Sequence, residues 1–369
     1  MIILKDLLYK VSLEAVFGEL QQQIKSVTFD SRAVESQSLF VALKGEGLDG
    51  HDYIESAIEG GAISVLCEVL PSTLDDRCTY LQVQDSHKAL GILASNFYGN
   101  PSYDLKVIGV TGTNGKTSVA TMLYGLFESL GYPAGLLSTV KVCFGGFEKE
   151  ATHTTPDPLQ IQAHLAAMTK AGITHRFMEV SSHGIAQERI SGISFSGGVF
   201  TNLTHDHLDY HKTFAAYRDT KKRFFDQLPQ QAFALINADD KNGVVMVQNC
   251  KAKTYTYAIK NYADFPVKVL EQQFGGMLLK IKETELWTPL VGRFNASNII
   301  AVYAVTDLLG LDPLDSMSAI SQLESVPGRF QVHQGAQNRF VIVDYAHTPD
   351  ALSLTLETIN EIRTNNESL

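Results

Sequence analysis

Apolar residues fall into short runs over the first hundred residues of the 369-residue chain. The runs at 38–43 and 62–69 predict strands, and the apolar spacing over 86–98 predicts a helix. The Asn-Pro-Ser sequence at 100–102 interrupts this pattern, because proline disfavours a helical conformation in the residue before it. We therefore predict a small mixed α/β domain over residues 1–102.

Strand and helix patterns alternate more regularly after this boundary. Candidates for buried strands lie at 105–110, 176–180, 198–202 and 233–236, and helical patterns lie at 117–130, 158–170 and 214–228. Such alternation predicts a parallel sheet with helices on both faces. Residues 253–292 instead predict antiparallel strands with a hairpin turn at Gly275-Gly276, and helix resumes near Asn295.

A third block begins with a predicted strand at 340–343 and a predicted helix at 349–363. One strand and one helix cannot bury both faces of a parallel strand. We therefore expect either that these residues pack onto the central domain or that the domain is incomplete and C-terminally truncated. The predicted fold class is α/β. It has a small N-terminal domain over 1–102, a central parallel-sheet domain over 103–330 and the start of a C-terminal Rossmann-like domain over 331–369.

Composition and charge exclude several classes of protein. The chain is 44% hydrophobic and 19% charged, which is typical of a globular protein and not of a disordered one. Its 30 basic and 40 acidic residues give a net charge of −10, which argues against a nucleic-acid partner. The four cysteines form no CxxC pair, and we find neither a signal peptide nor a membrane span. We expect a cytoplasmic protein without membrane insertion.

The strongest chemical signal is the sequence GVTGTNGKT at 109–117, which lies between a predicted strand and a predicted helix. Glycines let backbone N–H groups approach phosphate oxygens, and the N-terminus of the following helix attracts the same anion. Lys116 would reach the terminal phosphates and Thr117 would bind Mg²⁺. Val110 stands where the usual motif has glycine, so this is a variant phosphate-binding loop (P-loop). It does not distinguish a ligase from a kinase, a motor or a switch.

Further candidates follow later strands. Glu179 ends an apolar strand and suits either a metal that bridges phosphates or a helix cap. Three histidines and two aspartates lie within 205–211, which favours metal or phosphate contact, although any single histidine is more often structural. Lys221 shares a helix face with Tyr217, and its local sequence is that of a solvated lysine.

Polar residues near the end of the chain suit a nucleotide. Arg329 precedes the last predicted strand, and Asp344 and His347 follow it. These residues suit phosphate and base contacts, and their alternatives are a surface arginine and an Asx turn. Asn295 lies at a predicted helix start, where it suits either capping or adenine.

Seven ordered motifs together resemble one family. They are GVTGTNGKTS, HTTPD, EVSSHGIAQERI, FTNLTHDHLDYH, GRFNASNIIA, PGRF and VDYAHTPDAL. This set is similar to the Mur ligase family, and within it to the MurE type, the UDP-N-acetylmuramoyl-L-alanyl-D-glutamate amino-acid ligases of peptidoglycan synthesis. The resemblance implies a UDP-substrate-binding domain over 1–102, an ATP-binding domain over 103–330 and a partial ligase domain over 331–369. We expect a monomer.

The resemblance also implies a reaction. ATP would activate the free side-chain carboxylate of the D-glutamate in UDP-MurNAc-L-Ala-D-Glu as an acyl phosphate, and the amine of an amino-acid co-substrate would displace the phosphate. Lys116, Glu179, His207 and Lys221 would be catalytic. Thr117 and Glu179 would hold one Mg²⁺, and His207 with a carbamylated Lys221 would hold a second. Carbamylation needs a neutral lysine, whose ordinary pKa is about 10.4.

The resemblance to the Mur ligase family also implies which residues bind ATP and the UDP-substrate. The implied ATP contacts are Gly112, Thr113, Asn114, Gly115, Lys116, Thr117, Ser118, Asn295, Arg329, Asp344 and His347. The implied contacts to the UDP-substrate are Ser31, Arg32, Asp49, Gly50, His51, Thr154, Thr155, Ser181, Gln187 and Arg189.

Two questions stay open from the sequence. The chain ends before the region where relatives carry their amino-acid selector, so meso-diaminopimelate and L-lysine are both candidates. The alternatives in function are a truncated nucleotide- or UDP-substrate-binding product without ligase activity, and another Mur-type ligase such as folylpolyglutamate synthase. The HTTPD and EVSSHG motifs and the uridine-type first domain argue against the latter.

Overall fold

A computed structural model describes residues 1–45, 47–335 and 339–363. It contains two compact units, each built from several chain segments. The first unit comprises Met1–Asp104, Pro156–Lys170 and His183–Ile193, and the second comprises Leu105–Thr155, Ala171–Ser182 and Ser194–Leu369. Parts of the predicted domain over 331–369, namely 336–338 and 364–369, lie outside the described residues.

The first unit is a mixed α/β structure, as predicted. Residues 1–104 form strands β1 (Ile2–Ile3), β2 (Ala15–Phe17), β3 (Gln23–Ile24), β4 (Ser26–Thr28), β5 (Ser38–Val41), β6 (Ala62–Cys67) and β7 (Thr79–Gln82), and helices α1 (Leu4–Leu7), α2 (Ile54–Glu59) and α3 (Ser86–Phe97). The main sheet has the order β2-β7-β6-β5-β4, in which only the β2–β7 pair is antiparallel. Helix α3 begins where the Asp85 carboxylate accepts from the backbone N–H of Lys88.

The elements after residue 104 alternate as expected. They are β8 (Lys106–Thr111), α4 (Lys116–Ser129), β9 (Ala134–Leu137), β10 (Lys141–Phe144), β11 (Phe147–Glu150), α5 (Pro158–Lys170), β12 (His175–Glu179), α6 (Ser182–Ala186), β13 (Gly197–Phe200), α7 (Leu208–His211), α8 (Phe214–Asp226), β14 (Phe233–Asn237), α9 (Gly243–Met246), β15 (Lys253–Ala258), β16 (Phe265–Gln273), β17 (Gly276–Ile281), β18 (Thr284–Thr288), α10 (Arg293–Leu308), α11 (Pro313–Ser321), β19 (Gln331–Gln334), β20 (Phe340–Val343) and α12 (Pro349–Ile362). Of these, α5 and residues 183–186 of α6 lie in the first unit.

The described part of the second unit is organised around an eleven-stranded sheet with the order β11-β10-β9-β12-β8-β13-β14-β15-β16-β17-β18. Strands β9 to β16 in this order are parallel, which confirms the predicted parallel sheet. The prediction of antiparallel strands throughout 253–292 is wrong for β15, because this strand pairs in parallel with β14 on one side and β16 on the other. The hairpin at Gly275-Gly276 is confirmed.

Helices cover both faces of this sheet at its centre. Ile108 and Val110 of β8 pack in one apolar cluster with residues of α4 and α10. Gly109 points to the opposite face, where a Cβ atom would lie 2.6 Å from the ring of Phe224 in α8. A similar close approach occurs at Gly198, so α8 packs tightly against β8 and β13.

The last elements form a small separate sheet. Strand β20 pairs antiparallel with β19, and α12 follows with Thr348 as its N-cap. The predicted strand at 340–343 and the predicted helix at 349–363 are therefore confirmed. Phe340 stacks on Phe274 with ring centroids 4.6 Å apart, and Arg293 pairs with Glu361 at 3.3 Å. These contacts join β20 and α12 to the rest of the second unit.

Candidate active site

The P-loop runs from the end of β8 to the start of α4. Gly115 is the N-cap of α4 and has a φ of +85°, a conformation that favours glycine. The Lys116 ammonium curls back over the loop and donates to the carbonyl oxygens of Gly112 (3.0 Å) and Thr113 (2.7 Å). Ser118 is buried in the first turn of the helix. The loop thus presents a helix N-terminus and a lysine to one point, as an anion-binding loop requires.

The segment after β13, residues 201–204, holds the P-loop from one side. The Thr201 hydroxyl donates to the carbonyl of Asn114 (2.6 Å), and the Asn202 side chain both accepts from the N–H of Asn114 (2.9 Å) and donates to its carbonyl (3.1 Å). The N–H of Thr204 donates to the Thr113 hydroxyl (3.0 Å). Three residues that follow a neighbouring strand, Thr201, Asn202 and Thr204, therefore fix the path of the loop.

Glu179 ends β12 beside the loop and is completely buried. Its carboxylate accepts from the Thr117 hydroxyl (3.0 Å) and from both the N–H (2.7 Å) and the hydroxyl (3.1 Å) of Thr139. The Thr139 hydroxyl also lies 3.1 Å from that of Thr154. The buried Glu179 carboxylate therefore contacts the hydroxyl of Thr117 in the first turn of α4.

Thr155 and Ser181 lie next to this carboxylate. The Thr155 hydroxyl donates to the backbone carbonyl of Glu179 (3.0 Å) and accepts from the N–H of Ser181 (3.0 Å). The structure therefore brings three of the expected UDP-substrate contacts, Thr154, Thr155 and Ser181, to the end of β12.

Lys221 is not a solvated helix lysine. It is 1% exposed, and its ammonium donates to the same Gly112 carbonyl (2.8 Å) that Lys116 contacts. Burial, together with the nearby Lys116 cation, holds the pKa of Lys221 well below its ordinary value, against the opposing charge of Asp206. The local sequence misled here because α8 turns this face towards the sheet.

Tyr217, one turn before Lys221, joins the polar groups of this region. Its hydroxyl lies 3.2 Å from the Thr113 hydroxyl, and the Lys221 nitrogen lies 4.8 Å from its ring centroid. The ring of His207 is 6.1 Å from the same tyrosine. His207 has a φ of +51° and lies 3.5 Å from the Asp206 carboxylate. His207, Lys221 and the P-loop therefore surround one side chain.

Residues from the chain end reach the P-loop through Arg329. Its guanidinium donates to the Thr117 hydroxyl (3.3 Å) and lies 4.7 Å from the ring centroid of Tyr345. The Asp344 carboxylate accepts from the N–H of Phe330 (2.6 Å), and the ring of His347 is 4.9 Å from that of Tyr345. The structure thus brings Arg329 to the loop, with Asp344 and His347 close behind it.

Asn295 lies inside α10 and is not its N-cap, which is Gly292. Its amide donates to the carbonyl of Val291 (2.8 Å), and its oxygen accepts from Asn298 (3.4 Å). Asn298 in turn approaches Gly115 of the loop. Asn295 is therefore connected to the P-loop through one intervening side chain.

The remaining expected contacts lie in the first unit. Ser31 and Arg32 belong to a 3₁₀ helix, Ser31–Ala33, that is capped by Asp30. The Asp30 carboxylate accepts two bonds of 2.9 Å from the guanidinium of Arg32, whose side chain is 89% exposed. This arginine is therefore oriented by one acid while it faces solvent.

Asp49, Gly50 and His51 form a second capped turn in the first unit. The Asp49 carboxylate accepts from the backbone N–H (3.0 Å) and the Nδ1–H (2.6 Å) of His51. His51 Nε2 accepts from the N–H of Glu68 (2.9 Å), which fixes the proton on Nδ1. Helix α2 packs against both turns.

Gln187 and Arg189 also lie in the first unit and pair with each other. The Gln187 side-chain oxygen accepts from Arg189 at 3.0 Å and 2.6 Å. Sequence reasoning missed Thr139, Tyr217 as a contact of Thr113, and the role of 201–204. A strand-end position was the only signal for the last of these.

The donor set suits a magnesium ion at Thr117 and Glu179, because a hydroxyl and a carboxylate oxygen lie 3.0 Å apart and Mg²⁺ prefers oxygen ligands. Within the described residues, no group of three or more His, Cys, Asp or Glu side chains gathers as a metal cluster. Any metal here would therefore draw on hydroxyl, phosphate or modified-lysine oxygens as well. No described helix is long and apolar enough to cross a membrane.

Comparisons with known proteins identify the family of this chain. Residues 110–306 match the Mur ligase middle domain, and residues 23–98 match the Mur ligase family catalytic domain. A relative from Cytophaga hutchinsonii, named UDP-N-acetylmuramoyl-L-alanyl-D-glutamate--2,6-diaminopimelate ligase, is 52% identical over 98% of this chain and 74% of its own length.

Two solved structures extend the comparison. One, described by the same ligase name, has a TM-score of 0.83 and 28% identity over 99% of this chain and 75% of its own. Folylpolyglutamate synthase from Mycobacterium tuberculosis, complexed with ADP and AMPPCP, shares the fold with a TM-score of 0.61 and 20% identity, over 74% of this chain and 70% of its own. The chain belongs to the Mur ligase family, whose members are ATP-dependent ligases that form carbon–nitrogen bonds.

Proposed function

We propose that this protein uses ATP to join 2,6-diaminopimelate to UDP-N-acetylmuramoyl-L-alanyl-D-glutamate. The observation that carries the proposal is the convergence of Lys116, Lys221 and the buried Glu179 on one P-loop. Relatives that are 47–52% identical over 97–98% of the chain are named for this reaction, which favours diaminopimelate over L-lysine and the ligase over folylpolyglutamate synthase.

ATP binds, in this proposal, with its phosphates over the N-terminus of α4. The first N–H groups of a helix have no partner within the helix and attract phosphate oxygens. Lys116 exchanges the carbonyls of Gly112 and Thr113 for the terminal phosphates, and Arg329, which contacts the Thr117 hydroxyl, reaches the same phosphates. Asn295, Asp344 and His347 complete the expected nucleotide contacts.

The first chemical step activates a carboxylate. One oxygen of the side-chain carboxylate of the D-glutamate attacks the γ-phosphorus, an O–P bond forms, and the bond from that phosphorus to the β–γ bridging oxygen breaks, which releases ADP. Two anions must approach each other, so Lys116 and Arg329 lower the barrier by neutralising charge on the transferred oxygens.

The second step forms the amide. The neutral amine of diaminopimelate attacks the acyl carbon to give a tetrahedral intermediate, and the C–O bond to phosphate then breaks. The nitrogen loses one proton, and inorganic phosphate leaves. Since phosphate is a far better leaving group than oxide, the acyl phosphate makes this substitution possible.

The proposal includes two Mg²⁺ ions. Thr117 and Glu179 would hold the first, and His207 with the carbamate of Lys221 would hold the second. Bound Mg²⁺ supplies positive charge that balances the phosphate oxygens. The carbamate forms when the neutral Lys221 amine attacks carbon dioxide, an N–C bond forms and one proton leaves. Burial and the Lys116 cation favour that neutral amine.

The UDP-substrate contacts belong to the same proposal. Ser31, Arg32, Asp49, Gly50 and His51 would bind the uridine end. Thr154, Thr155, Ser181, Gln187 and Arg189 would bind the muramoyl-dipeptide. We further propose the domain roles expected for 1–102, 103–330 and 331–369, a cytoplasmic location and a monomeric state.

The experiment that tests the function measures inorganic phosphate and amide product together. We expect phosphate release only when ATP, the UDP-substrate and diaminopimelate are all present, with one amide formed per phosphate and far less product from L-lysine. If phosphate is released from ATP at the same rate without the UDP-substrate and diaminopimelate, the proposal is contradicted and a nucleotide-dependent binding module is favoured.

Lys221 is tested separately with ¹³C-labelled bicarbonate. A carbamate carbonyl signal in the ¹³C NMR spectrum is expected in the native protein and in Lys222→Ala, and not in Lys221→Ala. Lys222 is the matched control because it is the next residue of α8 and pairs with Asp226. Lys221→Ala is expected to lose ligation, whereas excess bicarbonate restores some activity to a weakened variant. Full activity in Lys221→Ala would overturn the carbamate.

A further inference from the structure

Asp240 lies in the turn after β14 and has no part in the reaction described above. One of its carboxylate oxygens, Oδ2, accepts from the backbone N–H of Leu203 at 2.6 Å. The other, Oδ1, accepts from the N–H (2.8 Å) and the side-chain amide (2.9 Å) of Asn242. Every hydrogen bond recorded for this carboxylate therefore comes from an N–H donor.

Leu203 belongs to the segment 201–204 that holds the P-loop. This segment makes a further contact with the end of β14, and Phe200, the residue before it, contacts β15. The Asn237 amide donates to the Thr201 carbonyl (2.8 Å), and the Tyr257 hydroxyl donates to the carbonyl of Phe200 (3.1 Å). Asp240 thus holds the middle of a segment whose two ends contact Thr113 and Asn114 of the loop.

We propose that Asp240 is a positioning residue for ATP: by holding Leu203, it sets the P-loop in the shape that receives the phosphates. The proposal rests on the function proposed above. Asp240 acts through the N–H of Leu203, the neighbouring N–H of Thr204 and the Thr113 hydroxyl. Thr113 in turn contacts Tyr217, so the same chain of contacts reaches the residue that packs on Lys221.

A carboxylate is needed at position 240 because both of its oxygens face donors. The isosteric change Asp240→Asn must place an NH₂ group either against the N–H of Leu203 or against the donors of Asn242. The oxygen that the NH₂ group replaces no longer accepts, so the N–H donor that bonded to it faces another donor. A buried donor without an acceptor is costly, so segment 201–204 moves and the loop moves with it.

Asp239 provides a matched control. Its carboxylate accepts from the backbone N–H groups of Ile259 (2.7 Å), Lys260 (3.1 Å) and Asn261 (2.9 Å). These bonds join β14 to the turn after β15 and do not involve segment 201–204. Asp239→Asn therefore makes the same chemical change one residue away, at a carboxylate that bonds the turn after β15 and not segment 201–204.

The test measures ATP binding by calorimetry, ligation kinetics and the Tm for each variant of the full chain. We expect Asp240→Asn to weaken ATP binding about tenfold, because one hydrogen bond to a charged group is lost, and to raise the KM for ATP more than it lowers kcat. Asp239→Asn lowers the Tm and leaves ATP affinity unchanged. Asn237→Ala, which removes the second tether, also weakens ATP binding and serves where Asp240→Asn does not fold.

The outcomes separate the two proposals. If Asp240→Asn binds ATP as tightly as the native protein, or if Asp239→Asn weakens ATP binding equally, the role of Asp240 is overturned. If the native protein binds ATP but forms no amide, the proposed function fails, while a selective loss of ATP binding in Asp240→Asn still supports positioning of the loop.

Discussion

Gly115 offers the most direct test of the loop geometry. It caps α4 with a φ of +85°, and a Cβ atom there would lie 2.7 Å from the side-chain oxygen of Asn298. Asn298 is 7% exposed and is bonded to Asn295, so it cannot withdraw freely. Gly115→Ala therefore combines backbone strain with the displacement of a buried amide.

Gly131 separates these two effects. Its φ of +79° is nearly the same, yet nothing lies within 4 Å of a Cβ atom built there. We expect Gly131→Ala to cost only the left-handed backbone penalty, about 1–2 kcal/mol. Gly115→Ala adds the loss of a buried hydrogen bond, about 1–3 kcal/mol, and so costs about 2–5 kcal/mol in all.

The assay is urea unfolding followed by the fluorescence of Trp287, the single tryptophan, which lies on β18 in the same unit as both glycines. We expect the urea midpoint of Gly115→Ala to fall further than that of Gly131→Ala, and ATP affinity to fall only in Gly115→Ala. Equal midpoints and equal ATP affinity in the two variants would refute the contact between the loop and Asn298.

Three further predictions concern other parts of the chain. Thr139→Val removes one hydroxyl bond to Glu179, so the Mg²⁺ concentration for half-maximal activity should rise about tenfold, measured against Thr174→Val as a distant control. Arg32→Ala removes an exposed cation whose guanidinium bonds to Asp30. The KM for the UDP-substrate should therefore rise, while the Tm stays unchanged because an exposed ion pair adds little stability. Burial raises the pKa of the Cys67 thiol from 9.0 to about 11, which lowers its thiolate fraction at pH 8 about a hundredfold. Mass spectrometry after iodoacetamide treatment should therefore find the label first on the more exposed Cys250, and on Cys67 only in urea.

The sequence predicted the P-loop because its chemistry needs contiguous residues. Strand β8, the loop and α4 appear within one residue of the expected positions, since glycine, lysine and threonine must follow one another to surround a phosphate. The hairpin of β10 and β11 was missed, although Gly145-Gly146 between two short strands is a recognisable turn signal.

Contacts between distant residues could not be predicted in this way. Thr139 meets Glu179 from 40 positions away, Tyr217 meets Thr113 from 104, and Arg329 meets Thr117 from 212. Each depends on which strands become neighbours, and no local pattern encodes that. Lys221 shows the same limit, because its burial follows from the packing of Phe224 against Gly109 and not from the residues beside it.

The acyl phosphate is the central claim, and an isotope measurement tests it most directly. The side-chain carboxylate of the D-glutamate in the UDP-substrate is labelled with ¹⁸O at both oxygens, the ligation is run in unlabelled water, and the released phosphate is analysed by mass spectrometry. Because a carboxylate oxygen becomes the bridge to phosphorus, we predict one ¹⁸O atom in each phosphate and one in the amide carbonyl. Phosphate without ¹⁸O, formed alongside the amide, would contradict the mechanism.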